Sequence, residues 1–242
     1  MAELVTYELA DGTATITMDD RKVNVLSLEM FWQIHAALDR AESDGSVVIL
    51  TGRQGVFSAG FDLAVLRGGG ARSQALVRTG FELAERRLGF PRPVVVACNG
   101  HAVAMGVFLV LSGDFRIGVE GEYRVGPNEV VIGLTMPRFA IEICHQRLAP
   151  AYFNRALVLA EPFSGEEAVA AGFFDRIVPA DRLLPAAAEV AQRLRDFDAE
   201  TFRASKLRIR EDALRRVRAA IEADATSAAG GGGDGSARRS SP

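Results

Sequence analysis

Two short stretches, "SVVILTG" from Ser46 and "RPVVVACNG" from Arg92, carry unbroken apolar runs. Successive side chains of a strand point to opposite faces, so a strand that is apolar throughout needs cover on both sides. Sheets of that kind are mostly parallel and are sandwiched by helices. Each run closes on a small-residue turn, Thr51-Gly52 and Asn99-Gly100, and a segment of helical patterning lies downstream. An α/β class follows, and the remaining segments agree with it.

"LVTYEL" and "TATITMD" alternate in polarity around Asp11-Gly12, which predicts a β-hairpin. Ser27 is placed to cap an amphipathic helix whose apolar face includes Leu28, Phe31, His35 and Leu38. A helix is expected from about Ser73 to Leu88, after the glycine-rich "LRGGGARS". "AMGVFLVLSG" is apolar all round and reads as a buried helix, followed by the strand "DFRIGV". From Pro137 onward the signals are mostly helical: "FAIEICHQRL", "AYFNRALVLA", "SGEEAVAAG", "PAAAEVAQRLRDF" and a long basic helix beginning at Glu200. In that last helix Leu207, Leu214, Val217 and Ile221 form an apolar seam, so it docks on something. Strand–helix units followed by helices indicate an α/β core with a helical C-terminal region. The expected division is a core over 1–180, a helical region over 181–226 and a low-complexity, disordered tail over 227–242.

The chain has 242 residues, 48% apolar and 24% charged, enough for a sizeable core. Its formal net charge of −3 argues against broad electrostatic binding of nucleic acid. Cys98 and Cys144 lie far apart within apolar stretches and read as buried free thiols. With no basic-then-apolar leader and no apolar run of membrane-spanning length, a cytoplasmic protein is expected. His35, His101 and His145 form no metal-ligand or triad pattern, so no metal is expected. "GGG" at Gly68–Gly70 lacks the lysine and hydroxyl spacing of a phosphate loop.

Three places could carry chemistry. In "GVFSAGFDL" the small residues Ser58, Ala59 and Gly60 precede what reads as a helical start at Phe61. Backbone N–H groups there could meet a developing negative charge, although a plain strand-to-helix turn has the same wording. In "CNGHAVAMGVFLVLSGD" a helix begins near Ala104 or Met105, and its first turn offers further unpaired donors. Two such strand ends could build a two-donor oxyanion hole, but any α/β protein contains similar turns. In "GPNEVVIG" the carboxylate of Glu129 runs into Val130, Val131 and Ile132, a segment that should pack on the core. An unpaired charge there is costly to bury, or it shifts its pKa; a capping role or a pair with Arg124 or Arg138 would also explain it.

Taken in order, "KVNVLSLEM", "GVFSAGFDL", "NGHAVAMGVFLVLSGDFRI", "GPNEVVIGL" and "AVAAGFFDRIVP" resemble the crotonase (enoyl-CoA hydratase/isomerase) superfamily, over nearly everything from Val5 to about Ala223. "VNVLSLE", "GVFSAGFDL" and the G-x-NE of "GPNEVVIG" are most similar to 3,2-trans-enoyl-CoA isomerases. The resemblance implies a spiral of ββα turns, a trimer or dimer of trimers, and an acyl-CoA thioester substrate. It implies no separate cofactor, coenzyme A being part of the substrate, and no nucleic-acid or membrane partner. It gives the two oxyanion donors to the N–H groups of Phe61 and Met105 and the acid/base role to Glu129. It brings Lys22, Val23, Ala59, Asp62 and Leu63 to the coenzyme A channel, and Gly106 and Phe108 to the acyl site. Asp62 also reads as a cap of its own helix, and Lys22 as a solvated turn residue. Met105 stands where the family has glycine, and its side chain is expected to narrow the acyl pocket. Phe108 stands where hydratases of the family carry a second glutamate. One carboxylate can move a double bond, whereas adding water naturally divides between two. A double-bond shift from the 3,4 to the 2,3 position is therefore the expected activity. The alternatives are hydration, with Glu120 or Glu122 as second carboxylate, and a non-catalytic acyl-CoA binder.

Overall fold

The computed structural model of the chain describes residues 2–230. The hairpin forms as expected: β1 (Val5–Ala10) pairs antiparallel with β2 (Thr13–Met18). Asp11 and Gly12 between them both have positive φ, +47° and +69°, the geometry that a two-residue turn matched to strand twist requires. Ser27 then caps α1 (Leu28–Ser43), its Oγ accepting the Met30 N–H at 3.1 Å.

The two apolar runs become β4 (Val47–Thr51) and β7 (Val94–Cys98), central strands of a six-stranded sheet. With β9 (Phe115–Val119) and β11 (Arg176–Val178) the order is β1-β2-β4-β7-β9-β11, parallel from β2 onward. Alternation divides the side chains as two-sided burial demands. Val47, Ile49, Val95 and Ala97 meet Ala187 and Val190 of α8 (Leu183–Arg195). Val48, Leu50, Val94 and Val96 face the larger core with Phe31, Phe57 and Leu109. At about 25 cal/mol per Å² of apolar surface, this two-faced burial is the main favourable contribution to folding.

The strand ends feed a second layer of short strands. A three-stranded parallel sheet has the order β10-β8-β5, built from β10 (Val125–Gly126), β8 (Gly100–Val103) and β5 (Gly55–Ser58). A two-stranded sheet joins β3 (Val25–Leu26) to β6 (Gly60–Phe61). Helices α2 (Leu63–Gly68) and α3 (Gly70–Leu88) follow β6, and α4 (Met105–Leu111) follows β8. The C-terminal region adds α5 (Arg138–His145), α6 (Pro150–Leu157), α7 (Gly165–Ala171) and α9 (Ala199–Gly230). Along α9, Ala213, Val217, Ala220 and Ile221 are buried, and the helix packs on α3 and α5.

Four expectations change. Phe61 is not a helix start: Gly60-Phe61 pairs with Val25-Leu26 as a strand, and the helix begins at Leu63. The helix expected from Ser73 starts at Gly70, because Gly69 and Gly70, at φ +61° and +68°, form only the junction with α2. Val130, Val131 and Ile132 do not pack on the core; they are 46%, 72% and 41% exposed, in a turn. The tail expected from 227 begins inside α9, which continues to Gly230, and 231–242 lie outside the described residues.

Candidate active site

The two segments read as possible donors come together through a pair of glycines. Gly60 has φ +88°, which favours glycine, and a Cβ there would lie 2.8 Å from Ala104 Cβ and 3.3 Å from Met105 N. A Cβ on Gly106 would lie 2.7 Å from Ser58 O. Without side chains at 60 and 106, the start of α4 closes onto the β5–β6 segment. Ser58 reinforces the joint: its Oγ accepts the Gly60 N–H at 3.0 Å and donates to Asn24 O at 2.8 Å.

This joint leaves two N–H groups without strand or helix duties. Phe61 lies opposite Leu26, while the next N–H, of Asp62, donates to Leu26 O at 3.4 Å. Alternation in a parallel ladder then directs the Phe61 N–H away from β3. Met105 is the first residue of α4, where N–H groups have no partner within the helix. Ala104 before it holds φ +49°, turning the chain sharply from β8 into the helix.

Beside the donors is a cavity of about 110 Å³. Ala59, Phe61, Ala104, Asn128 and Glu129 line it together with apolar side chains from Leu63, Leu66, Val77, Phe81, Ile132 and Leu134. Among its lining residues Glu129 is the one carboxylate. Glu129 is 6% exposed, and its Oε2 accepts the Asn128 N–H at 2.9 Å. Among the described residues it makes no ion pair. Burial raises its pKa above the usual carboxylate value, and the backbone N–H groups of Glu129 and Asn128 oppose that shift only in part. Arg138, considered from sequence as its partner, instead pairs with Asp224 at 3.5 Å. The buried Asn128 Oδ1 has no hydrogen-bond partner among the described residues.

The other expected site residues divide. Ala59 and Leu63 line the cavity. Asp62 caps α2, its Oδ1 accepting from Ala64 N at 2.9 Å and Val65 N at 3.2 Å. Lys22 and Val23 lie at the surface, near the site only through the Ala59 N–H bond to Val23 O at 3.0 Å. Gly106 acts as the close-approach glycine already described. Met105 and Phe108 differ from expectation. The Met105 side chain is fully buried in the core and does not line the cavity it was expected to narrow. Phe108 is 1% exposed and packs edge-to-face on Phe139, with ring centroids 6.0 Å apart, outside the cavity lining. Phe139 stacks at 4.0 Å on Phe81, which does line it. Glu120 and Glu122 are exposed and do not reach the cavity. His101 accepts the Arg124 N–H at Nδ1, a turn role. Sequence reading missed Val77 and Phe81, whose only signal was their place on one face of α3.

Among the described residues no group of three or more His, Cys, Asp or Glu is arranged to hold a metal ion, and no helix is long and apolar enough to cross a membrane. The arrangement can hold a small oxyanion on two main-chain amides while a buried carboxylate takes and returns a proton.

Comparison with known proteins bears on the chemistry. The family model described as enoyl-CoA hydratase/isomerase matches residues 8–229. The crystal structure of an enoyl-CoA hydratase/isomerase family protein from Pseudomonas syringae is 44% identical, with a TM-score of 0.91, over 92% of this chain and 97% of that one. The human mitochondrial delta3-delta2-enoyl-CoA isomerase is 28% identical, with a TM-score of 0.89, over 94% of this chain and 91% of that one. The Mycobacterium avium protein named "Probable enoyl-CoA hydratase echA17" is 32% identical over 84% of this chain and 82% of its own length. Isomerases and hydratases thus stand side by side among the relatives, on a shared crotonase-type α/β fold with a helical C-terminal region. By both sequence and fold, the chain belongs to the enoyl-CoA hydratase/isomerase family.

Proposed function

We propose that the protein moves the double bond of an enoyl-CoA from the 3,4 to the 2,3 position, with Glu129 as its single acid/base. The carboxylate removes a proton from C2 of the 3-enoyl thioester. The electron pair released forms a dienolate, whose oxygen accepts hydrogen bonds from the N–H groups of Phe61 and Met105. Glu129 then returns the proton at C4, and the product is the conjugated 2-enoyl thioester. One C–H bond breaks and one forms, so no water and no second carboxylate is consumed.

The observation that carries this reading is the solitary carboxylate in the cavity shared by Phe61, Ala104 and Glu129. Two further features support it. Burial raises the Glu129 pKa, which brings a carboxylate closer to the range useful for proton shuttling. The apolar lining limits the water that a competing hydration would need.

The resemblance extends this reading to a homo-oligomer, a trimer or dimer of trimers, in the cytoplasm. The test uses a 3-enoyl-CoA and a 2-enoyl-CoA with the same acyl chain. Growth of conjugated absorbance from the first, with slow loss of absorbance from the second, is expected. Fast hydration of the 2-enoyl-CoA would overturn the single-base scheme in favour of a hydratase. Tight acyl-CoA binding without turnover of either substrate would make the protein a binder.

A further inference from the structure

Gly80 lies in the interior of α3, buried, nineteen positions beyond Phe61. Glycine at such a place favours the helix less than alanine does, so a local reason is needed. Its surroundings supply one. A Cβ built on Gly80 would lie 2.6 Å from Phe61 Cε1, 2.9 Å from Phe61 Cζ and 2.9 Å from Phe31 Cζ. The missing side chain is thus the seat in which the edges of two phenylalanine rings rest.

The Phe61 ring is held on two sides, and its remaining side lines the cavity. Phe31 packs against it edge-on with centroids 5.9 Å apart, and Phe81, the next residue of α3, flanks it at 6.1 Å. Phe31 is itself fully buried on α1, and Phe81 is stacked on Phe139 of α5. A ring pushed off the seat therefore turns toward the cavity, and the turn is shared between its side-chain torsion and the Phe61 backbone. That backbone is the edge of a two-residue strand, whose neighbouring Asp62 N–H bond is already long, at 3.4 Å.

We infer that Gly80 is a positioning residue: by seating the Phe61 ring it sets the direction of the Phe61 N–H toward a substrate carbonyl. This rests on the oxyanion role proposed for Phe61. It adds that α3, which contributes no atom to the two-amide hole, controls the geometry of one of its donors. The same helix supplies Val77 and Phe81 to the cavity wall, so seat and wall move as one piece.

The test reads carbonyl polarisation directly, in the Glu129→Gln background where turnover cannot interfere. A conjugated 2,4-dienoyl-CoA is bound to the protein, and the red shift of its absorbance is measured. A red shift is expected with Gly80 present and should shrink markedly in Gly80→Ala. With Glu129 restored, Gly80→Ala should lower kcat by about ten- to a hundredfold with little change in KM. Phe61→Leu alone should also reduce the red shift, since the ring no longer fixes the donor. Adding Gly80→Ala to Phe61→Leu should then cost nothing further, and the pair should surpass Gly80→Ala alone. A full red shift and wild-type kcat in Gly80→Ala would overturn the inference. Should Gly80→Ala fail to fold, Phe61→Leu decides: an unchanged red shift there overturns it, and a reduced one supports it. No red shift with Gly80 and Phe61 both in place would instead defeat the oxyanion reading beneath it.

Discussion

Glu129 and Asp114 are both carboxylates withdrawn from solvent, and the chain treats them in opposite ways. Asp114 is surrounded by donors. Lys206 Nζ lies 2.7 Å and Arg210 NH1 2.9 Å from its oxygens, and the Val94 N–H donates at 2.8 Å. Arg87, fully buried, stands behind this group and donates to Leu109 O and Ser112 Oγ at the end of α4. Glu129 has only backbone N–H groups for company. A carboxylate clamped by two cations holds structure; one left without a cation is better suited to take and return a proton. The surroundings, not the residue type, suit one to fastening and the other to the proton transfer proposed for it. The two places are also linked. Lys206 and Arg210 anchor the start of α9 at Asp114, and further along the helix Asp224 accepts the Arg138 and Phe139 N–H groups at 3.1 and 3.0 Å. That cap fixes the start of α5, directly after the Pro137 that lines a neighbouring cavity wall.

The contrast is broken most strongly by neutralising each carboxylate in turn. Glu129→Gln is expected to lower 3-enoyl-CoA isomerisation by about a thousandfold or more, with acyl-CoA affinity nearly intact, as steady-state kinetics and calorimetry would register. Its stability should rise, because a buried unpaired charge is removed. Asp114→Asn should do the reverse, destabilising the fold by about 3–5 kcal/mol in urea titrations by stranding Lys206 and Arg210.

The two places also differ in how stability depends on pH. The folded-state pKa of Glu129 is raised, so its stability contribution is full below the unfolded value and is lost as pH rises through the folded value. The stability advantage of Glu129→Gln should therefore widen with pH across that window. The acid limb of kcat/KM should fall above the ordinary carboxylate range; a limb at or below that range would separate Glu129 from the base. Lys206 has the opposite direction, its pKa lowered to about 8, first by burial, with Asp114 pulling it back up. Its contribution is present above the unfolded value and is lost as pH falls through about 8. Relative to Lys206→Met, the wild type should gain stability between pH 8 and 10.5, measured by denaturation at several pH values. The smallest effect belongs to Asp62→Ala, which removes the α2 cap and should cost about 1 kcal/mol in the same titrations.

The elements governed by local rules were legible in the sequence. Asp11-Gly12 announced its hairpin, Ser27 its cap, and the apolar runs at Val47 and Val94 their two-faced burial. The sites governed by distant pairing were not. Ser58, Ala59 and Gly60 have the composition of a helix start, but Ser58 ends β5 beside β8 and Gly60-Phe61 pairs with Val25-Leu26. Val130 to Ile132 have the composition of core residues, yet the turn after Glu129 carries them to the surface. Met105 occupied a position where a long side chain should intrude, but the sharp bend at Ala104 sends it into the core. Gly80 carried a readable signal, a glycine inside a helical pattern, whose meaning appears only with Phe61 beside it.

A crystal structure with a bound acyl-CoA would show whether two amides and one carboxylate converge on the thioester. The thioester oxygen should lie about 2.7–3.1 Å from both the Phe61 and Met105 nitrogens, with a Glu129 oxygen facing C2 and C4 from one side. A thioester oxygen out of reach of either amide, or a Glu129 carboxylate turned away from the acyl chain, would contradict that convergence.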